Sequence, residues 1–348
     1  MESGSLRPGE FRPTRYSDFT LRKAVHDLQK EEGMMGRRES AMEMAFLFVK
    51  PHAATPRVTS RILEILENFE VKVLAQGKVI QSVMEHDNLF ARQYPELEDN
   101  TFNFDLNEIS LSPQEQQIFK EHFNKDWYEA VRQKKLLSSE QFQEVIHPYR
   151  DNHQHINNLC MKNAQITGGK SCLKIRKGLY VHRIDEMPKR SKRKAPIWVV
   201  NGFAHALKED FLDKKSIVNY FSVQFDSSQL SWPEFMEEVV GVAHPKDSHI
   251  SSIRGCIYST WEKFGLKYPP NERDNVVHVS SSALDALKER LLWMRGAVMY
   301  TDIFGSRLLS SKISSSTVKE ALEEAHTKEG QGRYTKAAFG KNSQECIE

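Results

Sequence analysis

Residues Asp274–Ser282 read DNVVHVSSS, and the segment that follows them carries Glu289. His278 stands between Val277 and Val279 in a short β-branched run, which predicts a buried strand over Val276–Val279. A strand fixes the direction in which each side chain leaves the backbone, so the ring of His278 is aimed by its position, with hydroxyls following at Ser280 and Ser281. From Ser282 to Met294, Leu284, Leu287, Leu291 and Leu292 recur on one side and predict a helix. A lone histidine in such a strand is ordinarily a core residue satisfied by backbone. To act as a nucleophile it needs one ring nitrogen bare while a partner holds the other.

Working outward, the strongest strand signal is Met44–Val49 (MAFLFV), closed by Lys50-Pro51. After Thr55-Pro56, Val58, Ile62, Ile65, Leu66 and Phe69 recur at helical spacing, with Thr55 as N-cap and Pro56 in the first turn. Alternation over Val71–Val79 predicts a second strand, completing a strand, helix, strand unit. Tyr220–Phe225 (YFSVQF) predicts another strand and Trp232–Val240, after Ser231, a capped helix, so a second such unit leads into His278. Between the halves, Pro113–Phe123 and Trp127–Gln133 read as helices, Ile197–Val200 as a short strand and Phe203–Phe211 as a helix. Region 134–195 has the least compact pattern. It holds His147, His153 and His155, a Gly168-Gly169 pair and the basic run Lys189–Lys194. The histidines lack a cysteine or carboxylate at metal-ligand spacing, and the basic run lacks interleaved aromatics, so loops are the simpler reading of both.

The 348 residues are 39% hydrophobic, 28% charged and 10% aromatic, the profile of a globular protein with a sizeable core. Forty-nine Lys and Arg against 47 Asp and Glu leave a formal charge of +2, too little for a whole-molecule field that draws the chain to nucleic acid or an anionic membrane. Cys160, Cys172, Cys256 and Cys346 lie far apart, which argues against structural zinc and a disulfide framework and for a reducing compartment. No run reaches the roughly 18 apolar residues of a membrane span, and residues 1–15 lack the apolar core of a signal peptide. A cytoplasmic protein is expected, with cilium or nucleus as other settings.

Asn275, His278, Ser280 and Glu289 together resemble the signature of the nucleoside diphosphate kinases, N-x-x-H-x-S followed by a helix glutamate. The resemblance extends to Lys50 in its K-P step and to Gly241–Gly255 (GVAHPKDSHISSIRG), whose Ile253-Arg254-Gly255 resembles that family's I-R-G turn. It covers about residues 44–82, 111–130 and 218–294, half of the chain. The resemblance implies an α/β (α+β) fold with a ferredoxin-like four-stranded antiparallel sheet of βαββαβ order. It implies phosphoryl transfer from a nucleoside triphosphate such as ATP, with Mg2+, to a nucleoside diphosphate through phospho-His278. Ser280 and Glu289 would support the histidine, Lys50 and Arg254 would contact phosphates, Asn275 the sugar, and Phe123, with Trp127 and Tyr128 as other candidates, the base. No metal ligands of the chain's own, no membrane and no specific nucleic acid are expected, and a homo-oligomer is.

Two positions depart from that pattern. Glu237 stands where the family has a phosphate-binding arginine, and Ala243 where it has a threonine donor. An inward carboxylate there would oppose phosphate by several kcal/mol, and Lys208, Lys214 and Lys215 are candidate replacements for the lost cation. Asn201–Phe203 resemble a longer eukaryotic branch with extra sequence before the third strand. The expected organisation is an extension over 1–40, a domain over 41–300 interrupted at about 134–217, and a C-terminal helix with a frayed tail over 301–348. The alternative function is a catalytically weakened structural or nucleotide-sensing protein, of cytoskeletal or ciliary type.

Overall fold

The computed structural model describes residues 41–102, 105–146, 171–185, 187, 193–323 and 333–347. The extension 1–40 with its short helix at 18–29, His147, His153, His155, the glycine pair and most of the basic run lie outside the described residues. Within them, eight strands occur: β1 (Met42–Val49), β2 (Lys72–Ile80), β3 (Leu136–Leu137), β4 (Cys172–Arg176), β5 (Leu179–Ile184), β6 (Ile197–Val200), β7 (Ile217–Asp226) and β8 (Val277–Val279).

The first sheet has the order β2-β7-β1-β8, and every neighbouring pair is antiparallel. Each strand–helix–strand passage therefore straddles a third strand: β1 and β2 flank β7, and β7 and β8 flank β1. Two such split units make the expected ferredoxin-like βαββαβ sheet. MAFLFV lacks polar alternation because β1 is central and covered twice. Ala45, Leu47 and Val49 face the helix Pro56–Asn68 and the helical turns between β7 and β8. Phe46 and Phe48 face Met84, Phe90, Phe211 and Trp293 on the other side. Thr55 accepts from the amide of Val58 and Pro56 opens the first turn, as predicted.

The second sheet, β3-β6-β5-β4, is built entirely from chain inserted between β2 and β7. Only β3 and β6 are parallel. Its core joins Phe119, Phe123, Trp127 and Ala130 to Leu179, Val181, Trp198 and Val200. The helices Pro113–Phe123 and Trp127–Arg132 thus pack on the inserted sheet, and residues with the weakest sequence pattern form its β4–β5 hairpin. Nor is the described end of the tail frayed. Ser343 is fully buried, its amide (3.0 Å) and hydroxyl (2.5 Å) both donating to Oε2 of Glu43 at the start of β1. No helix among the described residues is long and apolar enough to cross a membrane.

Candidate functional site

The approach to β8 is strained. Val276, a β-branched residue, has φ of 72°, and the amide of Val277 donates to the carbonyl of Asn275 at 2.8 Å, closing a γ-turn around it. Several bonds hold the turn in place. Lys50 N donates to Val276 O (2.9 Å), and Arg254 donates to Asn275 O (3.2 Å), Val277 O (2.8 Å) and Gly241 O (2.7 Å). Beyond the histidine, Ser280 Oγ accepts from Phe46 N (3.0 Å) and donates to Phe46 O (3.2 Å), tying the end of β8 to β1. Arg254 and Ser280 thus act on backbone: one fixes the turn before His278, the other the strand after it. Arg254 is buried, and burial pushes its pKa down to about 10.

The imidazole stacks on Phe48, centroids 4.8 Å apart at 21°, and meets Tyr94 edge-on at 6.2 Å. Nε2 lies 2.6 Å from Oε1 of Glu289 and 3.2 Å from Nε2 of Gln93. The proton on the ring follows from the partners. The indole of Trp293, a donor only, reaches Oε1 of Gln93 at 2.5 Å, so the Gln93 amide turns its NH₂ inward, donating to Glu289 Oε1 at 2.9 Å. Facing an amide donor and a carboxylate acceptor, Nε2 carries the hydrogen and donates to Glu289. Nδ1 is left as the bare nitrogen, with no hydrogen-bond partner among the described residues. The side chains of His278 and Glu289 are 21% and 12% exposed, and both line one cavity of about 940 Å³.

That volume suits a nucleotide-sized ligand. It lies between the two sheets: Lys50, Asn275 and His278 line one side, and Lys174, Lys177 and Tyr180 from the β4–β5 hairpin the other. Asn275 donates to Ala243 O at 3.2 Å, while its Oδ1 is buried and unpartnered, an acceptor fit for a ligand hydroxyl. The phenol of Tyr94 is likewise buried without a partner, its pKa raised by burial and then by Glu289. Lys177, at the hairpin turn, pairs with Glu96 at 3.1 Å. Burial works to lower its pKa but is outweighed by Glu96, Asp285 and Glu289, so the ammonium stays charged.

Lys50 Nζ donates to Arg273 O at 2.7 Å. Burial, aided by Arg254 and Arg273 and opposed by Asp274, lowers its pKa to about 7. The unfolded lysine, near 10.4, binds a proton the folded one releases, so through this group stability is least below pH 7 and rises toward pH 10. In urea unfolding, wild type is expected to gain on Lys50→Met by about 1.4 kcal/mol per pH unit between roughly pH 7.5 and 9.5. Parallel pH profiles of the two proteins would contradict it.

The expected site residues are thus only partly together. Lys50, Asn275, His278 and Glu289 line the cavity; Arg254 and Ser280 stand behind it. Phe123 does not reach it, because the ring is packed in the inserted core against Phe119 and Trp198. Glu237 is exposed and does not line the cavity, so the repulsion expected from an inward carboxylate does not arise there. Lys208 pairs with Glu98 at 2.6 Å, and Lys214 and Lys215 are exposed, none lining the cavity; Lys174 and Lys177 do. Sequence reasoning missed Gln93, Tyr94 and Trp293.

Fold and site together define a ferredoxin-like α+β protein with a carboxylate-held histidine open to a large cavity lined by both lysines and carboxylates. No family model matches the sequence, and no curated protein matches it either. Among solved structures the chain is similar to a nucleoside diphosphate kinase from Encephalitozoon cuniculi, at 14% identity over 72% of this chain and 88% of that one, TM-score 0.29. It is also similar to an NDP kinase from Pyrobaculum aerophilum, at 14% identity over 73% and 97%, TM-score 0.33. Scores this low leave the fold to be read from the strand order itself.

Proposed function

We propose that this protein is a nucleoside diphosphate kinase-like phosphotransferase that moves the γ-phosphate of a nucleoside triphosphate to a nucleoside diphosphate through phospho-His278. The observation that carries the reading is the two-sided environment of the imidazole, with Nε2 against Glu289 and Nδ1 without a partner among the described residues, beside a cavity that lysines and carboxylates both line. The Nδ1 lone pair attacks the γ-phosphorus in line. The bond from that phosphorus to the bridging oxygen breaks, and the diphosphate leaves with the electron pair. The positive charge on the ring is met by Glu289. In the second half, a terminal oxygen of the acceptor diphosphate attacks the same phosphorus, the N–P bond breaks, and Nδ1 recovers its lone pair.

Lys174 and Lys177 spread the charge on the phosphates, Lys50 adds to them once a phosphate draws it back to the charged form, and the unpartnered Oδ1 of Asn275 accepts from a sugar hydroxyl. Among the described residues no group of three His, Cys, Asp or Glu is placed to hold a metal, so Mg2+ would be carried on the phosphate oxygens, where it neutralises charge. Under single-turnover conditions with γ-labelled ATP and Mg2+, the folded protein is expected to take up acid-labile, base-stable label on Nδ1 of one histidine. No label, or label on Nε2, would sink the mechanism.

The binding of Arg254 to three backbone carbonyls favours a second reading, nucleotide sensing without turnover, because a cation given to backbone is not offered to phosphate. That reading expects ATP to raise the melting temperature while no phosphate moves.

A further inference from the structure

The cavity wall opposite His278 is aromatic. Tyr180 on β5 and Phe203, just after β6, both line the cavity and are only half-buried. Their rings meet at 5.5 Å and 81°, and Phe203 also meets the ring of His182 at 5.6 Å and 76°. Lys174 Nζ lies 5.9 Å from the Tyr180 centroid. Packed aromatics that keep area facing a cavity offer π-surface to a flat, weakly polar ligand group.

Besides the strand pairing of β5 with β4 and β6, one side chain braces the wall. Asn201, fully buried with φ of 48°, exchanges both backbone-directed bonds with Tyr180: its Oδ1 accepts from Tyr180 N (2.9 Å) and its own amide donates to Tyr180 O (2.8 Å). Its Nδ2 donates to Gly178 O at 2.8 Å and Thr101 Oγ1 at 3.1 Å. Gly178 has φ of +73°, and a Cβ there would lie 2.5 Å from the Glu96 carbonyl carbon, so the hairpin sits as close to the helix Pro95–Phe102 as a glycine allows. Asn201 lies two positions before Phe203, so the residue that ties down the Tyr180 backbone also stands next to the start of the segment that carries Phe203.

We infer that the Tyr180–Phe203 wall of the inserted sheet receives the nucleobase of the ligand whose phosphates lie toward His278. The inference rests on the phosphotransfer reading for the identity of the ligand. It makes the insertion half of the site: the first sheet supplies the reacting nitrogen, and the inserted sheet supplies recognition.

Titration calorimetry with ATP and, separately, inorganic tripolyphosphate separates base from phosphate. Tyr180→Ala is expected to weaken ATP roughly tenfold, the scale of one lost base stack, with tripolyphosphate unchanged. Tyr180→Phe keeps the ring and should bind ATP as wild type does. Phe203→Leu, which keeps the apolar packing, gives an independent reading and should show the same ATP-selective loss. Unchanged ATP affinity in Tyr180→Ala and Phe203→Leu, or equal losses for both ligands, overturns the wall while leaving phosphotransfer intact. A wild type that binds neither ligand overturns both.

Discussion

Alanine at position 278 is expected to leave no acid-labile label on the protein, and alanine at position 289 to slow labelling on the order of 10³-fold. The two losses differ in kind. His278→Ala removes the nitrogen that bonds to phosphorus. Glu289→Ala keeps it but frees the hydrogen now held on Nε2, so the ring samples the tautomer in which Nδ1 is capped, and the charge gained on phosphorylation loses its counter-ion. Glu289→Gln separates these effects. The NH₂ of Gln93, oriented by Trp293, favours the new amide's oxygen toward His278, so the tautomer is kept and only the charge is lost. About 10²-fold is expected for that variant, within the range of one acid–base or electrostatic contact. Rates read by quenched single-turnover labelling check the order wild type, Gln, Ala. Equal rates for Glu289→Ala and wild type would show the carboxylate to be a bystander, and label on His278→Ala would place the chemistry elsewhere.

How much of this was legible in the chain depends on which surfaces each element buries. β1 could be read because both its faces are covered, leaving a run with no polar interruption, and the helix Pro56–Asn68 because its cap and its apolar stripe agree. β8 is three residues long and has no periodicity to speak of; the β-branched run around His278 marked it as a strand, and the spacing of Asn275, His278 and Ser280 marked it as a site. The inserted sheet, apart from β6 at Ile197–Val200, was hidden for the opposite reason. β4 and β5 place Lys174, Arg176, His182 and Arg183 among their apolar residues, β3 has two residues, and helical pattern at Pro113–Phe123 says nothing about which sheet it covers. Burying Phe123 in that second core is what removes it from the cavity. Arg254 was nameable, but its acceptors were not. Two of the three are carbonyls on either side of a left-handed valine, the residue type from which positive φ is least expected. Gln93 could not be found at all, since its role exists only between Trp293 and Glu289, each about 200 positions away.

The largest effect on folding is expected at Asn201. Asn201→Ala removes the bonds of one fully buried amide, whose Oδ1 accepts from Tyr180 N and whose two Nδ2 hydrogens are shared among Gly178 O, Thr101 Oγ1 and Asn100 O. At about 1–3 kcal/mol for each buried group left unpaired, and with partial relaxation, the loss should be on the order of 4 kcal/mol, a large share of the stability of most domains. Alanine also tolerates the left-handed φ of 48° less well than asparagine, which adds about 1 kcal/mol. Asn201→Gly divides the two causes: it accepts the backbone angle and still loses the hydrogen bonds, so it should lie between wild type and alanine in urea unfolding, nearer to alanine. The damage should be local before it is global. Hydrogen exchange is expected to speed up first in β4, β5 and the helix Pro95–Phe102, which Asn201 joins, while β1 and β7 keep their protection because the core on their face toward the helix Pro56–Asn68 draws on none of these elements. Because the same bonds set Tyr180, both variants should also lose ATP affinity under conditions where they remain folded. Uniform loss of protection across the two sheets would mean that the chain unfolds as one unit and that Asn201 organises no separate wall.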